Sequence, residues 1–223
     1  MSAGVVAGTA HRALAEAVAA ALGTAPVSCE LERFPDGELR PDVGQVRGED
    51  VYVVQPTGPA VNEHLIELLL LLDACHRGGA DRLTAVVPYF GYARQDRRTR
   101  AGQPESGTRV QAEELVGDVA GRPTVIVDDM ISTGATVEAA VRVLLSCGAA
   151  PDITVAATHG LLAGDARDRL AQLPLRRVLV TDTLATGQTQ ALPLQVRSVA
   201  PLLADAINRL HNSEPLDALL MRS

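Results

Sequence analysis

A chain of 223 residues that is 47% apolar and 21% charged can bury a sizeable core and is too apolar for a disordered segment. Aromatics make up only 2% and Trp is absent, so that core is aliphatic, and a formal net charge of -7 argues against a nucleic-acid partner while leaving a small anionic ligand open. The odd set Cys29, Cys75 and Cys147 has neither a metal-ligand spacing nor the pairing of a disulfide framework, which fits a reducing cytoplasm.

The elements are expected to alternate along the chain. "GVVAG" reads as a first strand, and 10 to 22 as a helix after a turn, rather than as a signal peptide, because no basic region precedes it. "VSCELERF" and "VYVVQ" read as strands, and 61 to 77 as a core helix. Glu67 and Asp73 interrupt its apolar run "HLIELLLLLDAC", which is too short and too charged to span a bilayer; the "LLLLL" at 68 to 72 is core or oligomer surface. Then come strands at "TAVVPYF", "TVIVDDM", "ITVAATH", "RVLVTDT" and "LQVRSV", with helices over 135 to 147, 164 to 172 and 200 to 211. Apolar strands alternating with helices predict an α/β fold: a parallel sheet flanked by helices on both faces, with ligands bound beyond the carboxyl ends of its strands.

"VIVDDMISTGAT", residues 125 to 136, carries the densest chemistry. A strand delivers Asp128 and Asp129 to the sheet rim, and Ser132, Thr133, Gly134, Ala135 and Thr136 open the next helix. Backbone N–H groups at a helix N-terminus, hydroxyls and a glycine that permits close approach make a cradle for a phosphate dianion. The two carboxylates would repel that phosphate, so their partners are sugar hydroxyls or a magnesium ion. Together they point to a ribose 5-phosphate. The plainer alternative is an N-capped helix behind two exposed acids.

This stretch resembles the phosphoribosyl-pyrophosphate loop shared by type I phosphoribosyltransferases and ribose-phosphate pyrophosphokinases. "VVPYFGYARQDRRTR" at 86 to 100 and "FPDGE" at 34 to 38 resemble the nucleotide-binding signature and the adenine-contacting loop of the pyrophosphokinases, and "GDVAGR", "ATHGLLAG" and "VTDT" are similar to further family segments. The resemblance implies transfer of diphosphate from ATP to ribose 5-phosphate, with Mg2+, in a cytoplasmic homo-oligomer whose nucleotide site is shared between subunits. It implies that Phe34, Asp36, Glu38, Arg94, Gln95 and Arg97 bind ATP, that Arg97, Arg98 and Arg100 serve catalysis, and that residues 128, 129 and 132 to 136 hold ribose 5-phosphate. Asp128 and Asp129 are then candidates for magnesium held through the substrate. Ser132 stands where the family often has an acid.

The chain also departs from the family pattern. After "YARQDRR" it passes through "TRAGQPESGTRVQAEELV" directly into "GDVAGRPTVIVDD". On the order of one hundred residues of the pattern are missing, about one domain's worth. A single hybrid phosphoribosyltransferase-like domain over 1–223 is therefore expected, its first part from 1–100 and its second from 106–223, with 93 to 112 a loop over the site. The missing part includes the family's metal-binding histidine strand and its basic catalytic loop. The sequence holds no lysine, so Arg98, Arg100 or Arg109 would have to replace a lysine contact. Three readings follow: a diphosphokinase, a catalytically impaired binding or regulatory member of the family, and a phosphoribosyltransferase, for which "YARQDRR" has no clear task. His159 in "THG" and His11 after "AGTA" read as structural or site-facing histidines, the structural reading carrying more weight.

Overall fold

A computed structural model describes residues 3–93, 115–187 and 192–220. They divide into two compact units, one of residues 1–91 with 198–223 and one of 92–197. The expected join of the hybrid domain, near 100 to 106, lies outside the described residues, as do Arg94, Gln95, Arg97, Arg98, Arg100 and Arg109.

The first unit is built on a parallel sheet ordered β1-β4-β5, of β1 (Ala3–Ala7), β4 (Asp50–Val54) and β5 (Arg82–Val86). All five residues of β4 are buried, which the period of two explains when both faces are covered. Val6, Val51 and Val53 pack with Leu68, Leu71 and Cys75 of α2 (Val61–Arg77). Their neighbours Val5 and Val54 pack with Ala15 and Ala19 of α1 (Arg12–Ala21), and Tyr52 with Leu14, Val18 and Ile207. Ile207 belongs to α5 (Ala200–His211), so a helix from late in the chain completes this unit. A separate antiparallel hairpin, β2 (Cys29–Arg33) with β3 (Leu39–Val43), carries "FPDGE" at its turn. The sequence reading gives β2 but not β3, because Pro41 removes a ladder donor; a hairpin edge tolerates it.

The second unit has the parallel order β6-β7-β8-β9, of β6 (Thr124–Ile131), β7 (Ile153–Gly160), β8 (Leu175–Thr181) and β9 (Leu194–Arg197). Ile153, Val155, Val178 and Val180 form a core with Val137 and Val141 of α3 (Ala135–Ser146) and Leu170 of α4 (Ala166–Ala171). Among the described residues α3 and α4 pack into this core, and on β6 Val125 is 66% and Val127 78% exposed. A short α6 (Asp217–Leu220) was not anticipated.

A charge clamp ties α5 to the amino-terminal rim of the first sheet. Asp50 is buried; Arg82 donates to it from Nε at 3.0 Å and from a terminal nitrogen at 2.5 Å, and the same guanidinium donates to the carbonyl of His211 at 3.0 Å. His211 Nδ1 lies 2.9 Å from the Asp50 carboxylate. The Arg82 hydrogen bond holds the Asp50 carboxyl below its ordinary range, against the opposing push of burial. A depressed carboxyl contributes stability that is present above its unfolded pKa of about 3.9 and is lost as pH falls through the lower folded value. Asp50→Asn is therefore expected to lower Tm at pH 7 by roughly 3–6 °C, the worth of a charged hydrogen bond in a chain of this size, with the gap to wild type closing below about pH 4. Thermal unfolding across pH tests this; a gap that persists in acid would refute it.

Candidate functional site

The carboxyl end of β6 meets α3 through a turn that only a glycine fits well. Gly134 is the N-cap of α3 at φ 76°, ψ 0°, in the left-handed region. A Cβ there would stand 3.3 Å from Leu170, tighter than ordinary contact. No side chain caps the helix, so the N–H groups of its first turn point out of the turn, beside the hydroxyls of Thr133 and Thr136, both exposed, and of half-buried Ser132. The loop after β7 braces this turn: Leu162 N–H donates to Ile131 O and Ala163 N–H to Ser132 O, each at 3.0 Å. Leu162 does so at φ 46°, a conformation that leucine rarely adopts and that nothing in "GLLAG" announces.

Charge around this turn is partly paired. Glu138 lies in the first turn of α3, where a carboxylate would repel a phosphate, but it is engaged by Arg142 at 2.5 Å and by Arg169 of α4 at 2.9 Å. Arg169 also pairs with Asp165 at 3.3 Å, fastening α4 beside the turn. Asp128 is half-buried and Asp129 exposed; Asp129 N–H donates to Asp128 Oδ1 at 2.9 Å. Burial pushes the Asp128 carboxyl above its usual value; the backbone hydrogen bond opposes this and the Asp129 carboxylate adds to it. Two adjacent acids so placed are relieved by hydroxyl donors or a cation. Among the described residues no group of three or more His, Cys, Asp or Glu could hold a metal. The pair fits a magnesium ion, which takes one or two carboxylates and completes its shell with substrate oxygens and water.

In the first unit, the "FPDGE" turn is closed by Phe34 N–H to Glu38 O at 2.8 Å and Gly37 N–H to Phe34 O at 2.9 Å. Asp36 accepts from Glu38 N–H at 3.1 Å, so part of its role is to shape the turn. Phe34 carries the Arg40 guanidinium 5.3 Å from its ring centre, and Arg33 pairs with Glu63 of α2. Gly37, Glu38 and Leu39 border a cavity of about 530 Å³ with Asn62, Glu63 and Ile66. The stem of "YARQDRR" is also built. Thr57, buried, accepts from Gly91 N–H at 2.7 Å, and a Cβ on Gly91 would collide with Thr57 O at 2.6 Å. Beyond that lock Phe90 is 50% and Tyr92 44% exposed, two of the chain's five Phe and Tyr residues, and neither was singled out from sequence.

The loop after β1 does not offer an anion site. Thr9 N–H and Oγ1 donate to the two oxygens of buried Glu67, both at 2.6 Å, and Ala10 N–H donates to buried Gln55 at 3.1 Å. His11 Nδ1 accepts from Leu14 N–H at 3.3 Å, a capping role. His159, at the end of β7, has its Nδ1 2.8 Å from Thr183 Oγ1; burial lowers its basicity, and the Asp129 charge opposes this by less.

Residues 3–116 match the family model described as the N-terminal domain of ribose phosphate pyrophosphokinase, and residues 101–222 match a phosphoribosyl synthetase-associated domain. A ribose-phosphate pyrophosphokinase of Rhodopirellula baltica is 32% identical over 96% of the chain and 97% of its own length; one of Agrobacterium fabrum is 31% identical over 96% and 99%. The first alignment runs over 308 positions, more than the chain's 223 residues, so it bridges a gap on this side. The crystal structure of phosphoribosylpyrophosphate synthetase from Mycobacterium smegmatis superposes with a TM-score of 0.86 at 28% identity, covering 96% of this chain and all of that one.

Gly134→Ala is expected to cost about 1–2 kcal/mol of stability, because the left-handed conformation strains any Cβ and Leu170 must shift. Denaturant unfolding reads this directly, and a midpoint equal to wild type would show that the turn relaxes freely.

Proposed function

The chain belongs to the ribose-phosphate pyrophosphokinase family, and from that premise we propose that it transfers diphosphate from ATP to ribose 5-phosphate, giving phosphoribosyl pyrophosphate and AMP, with the 128–136 turn as its sugar-phosphate site. The observation that carries the reading is the uncapped α3 N-terminus at Gly134 beside the Asp128–Asp129 pair. The 5-phosphate sits on the first-turn N–H groups and the hydroxyls of Ser132, Thr133 and Thr136, with Ala135 leaving room, and the carboxylates take the ribose hydroxyls. Magnesium, held by Asp128 or Asp129 together with substrate oxygens, supplies charge neutralisation. ATP is assigned to Phe34, Asp36, Glu38, Arg94, Gln95 and Arg97, and charge stabilisation during transfer to Arg97, Arg98 and Arg100. A nucleotide site shared between copies makes the working form a homo-oligomer, and no nucleic acid or membrane is involved. Among the described residues, no helix is long and apolar enough to cross a membrane. A cytoplasmic setting suits these substrates.

The reaction needs positioned charge more than covalent chemistry. All cationic side chains other than histidine here are arginines, so no ammonium group follows the transferring phosphoryl oxygens. That observation favours a second reading, a family member that binds both substrates and turns them over poorly. The two separate on AMP release from ATP dependent on ribose 5-phosphate, assayed beside a full-length relative. Turnover is expected to be lower by about a hundredfold, the usual loss of one preorganised donor, and to fall further on dilution. Parity with the relative would show that arginines replace the missing groups.

Binding survives independently of turnover because the cradle is local in sequence. Asp129→Asn and Thr133→Val are each expected to weaken ribose 5-phosphate by about tenfold, as one hydrogen bond to a charged group warrants. Calorimetric titration decides it: identical isotherms for wild type and both variants would remove the site from this turn.

A further inference from the structure

The β2–β3 hairpin has two faces, and its register sorts the residues between them. Cys29 stands opposite Val43 and Arg33 opposite Leu39, whereas Glu30 stands opposite Asp42 and Glu32 opposite Arg40. Opposed residues of an antiparallel pair share a face, and successive residues alternate. Cys29 and Val43 pack against the core that holds Leu68, Leu71 and Cys75, and Arg33 pairs with Glu63, so that set faces α2. Glu30, Glu32, Arg40 and Asp42, all exposed, make the outer face. Of these four only Arg40 is a cation. Its guanidinium is engaged twice: it donates to Glu32 directly across the strands, and it lies over the Phe34 ring, 5.3 Å from the ring centre.

Stability does not explain the ion pair, because Arg40 keeps 64% and Glu32 54% of their side-chain surface in solvent, where such pairs contribute little. What the pair does is set a cation on an aromatic face. Phe34 is half-buried and opens the turn at 34 to 38, whose backbone is closed by Phe34 N–H to Glu38 O at 2.8 Å. The backbone fixes where the ring starts, and Arg40 fixes how it lies. The three carboxylates of the outer face repel a polyphosphate, so the part of a nucleotide that suits this face is the uncharged base, whose amino group is a donor. We propose that Arg40 is a positioning residue of the nucleotide site: Glu32 anchors it, it covers one face of Phe34, and the ring is thereby held ready to stack a base on the other. Affinity is gained because a side chain already ordered loses little rotamer freedom when the ligand arrives. The inference rests on the reading of Phe34, Asp36 and Glu38 as part of the ATP site. It adds that two residues outside the "FPDGE" turn, neither reaching the ligand, set that site's affinity.

The test uses the full chain, with magnesium ATP and magnesium tripolyphosphate as probes, titrated calorimetrically into wild type, Phe34→Ala, Arg40→Ala, Glu32→Ala and the double variant of the last two. Phe34→Ala is expected to weaken ATP by about tenfold, the worth of one stacked base. Arg40→Ala and Glu32→Ala are each expected to weaken ATP by about two- to fivefold, the worth of one cation–ring contact at a surface, and to leave tripolyphosphate unmoved. The double variant loses no more than Arg40→Ala alone, since Glu32 acts only through Arg40. Glu32→Ala is the decisive arm. A mere charge effect predicts that removing an acid tightens an anionic ligand, whereas a broken brace weakens it. Tighter ATP binding by Glu32→Ala, equal losses of ATP and tripolyphosphate in Arg40→Ala, or wild-type ATP affinity in both variants overturns this proposal alone. Wild-type affinity in Phe34→Ala, or a wild type that does not bind ATP, overturns the assignment of the turn to ATP and this inference with it. Should Arg40→Ala fail to fold, Arg40→Gln, which keeps a donor for Glu32 while removing the cation, carries the same expectation and the same refutation.

Discussion

The left-handed residue at Gly134 is the constraint on which the second unit's chemistry depends. A parallel strand ends at the sheet rim and its helix must turn back at once to cover the core. Here Ser132, Thr133 and Gly134 make the whole of that turn. A Cβ at 134 would press on Leu170, which belongs to α4, and α4 is held by the Arg169 pairing with Glu138. Core packing and the proposed anion cradle thus share one joint. The same arginine that docks α4 pairs with the one carboxylate in the first turn of α3, so one interaction fastens α4 and neutralises that carboxylate.

The two units show what decides whether such a strand-end loop can bind an anion. Both have a strand followed by a short glycine-containing turn and a helix. After β1 the donors are committed internally: Thr9 and Ala10 give their N–H groups to Glu67 and Gln55, side chains with almost no exposure. A buried carboxylate already occupies the place where a ligand's oxygens would stand. After β6 no side chain caps the helix. The difference is one of donor supply, not of backbone topology, and it lies in Glu67, which sits mid-helix directly before the leucine run.

Much of this was legible in the sequence where local periodicity and turn chemistry agree. The helices at 61–77 and 200–211 have the limits that their apolar spacing predicts, whereas β6, expected to end at its two acids, runs on to Ile131, so that Asp128 and Asp129 lie within the strand. What was not legible depends on partners distant in sequence. Pro41 hides β3, since only the pairing with β2 shows that its missing donor faces outward. Val125 and Val127 read as core because an apolar strand in a parallel sheet normally is, yet among the described residues nothing covers them. The strained Leu162 and the Thr183–His159 bond join loops from different strands, so no spacing within either segment predicts them.

Charge places the remaining limit on the chemistry. Lys and Arg together number 20, and every one is arginine. A guanidinium is a planar fork suited to holding a phosphate in one orientation, whereas an ammonium is a compact charge on a flexible stem that can follow a group as it moves. In a loose phosphoryl-transfer transition state the charge spreads over the moving equatorial oxygens. Donors tuned to the bound triphosphate bind ground state and transition state alike, which strengthens affinity without raising the rate of the chemical step. On the proposed reading, an all-arginine chain is therefore better equipped to assemble its substrates than to transfer between them, and the physical basis of that imbalance is side-chain geometry, not net charge.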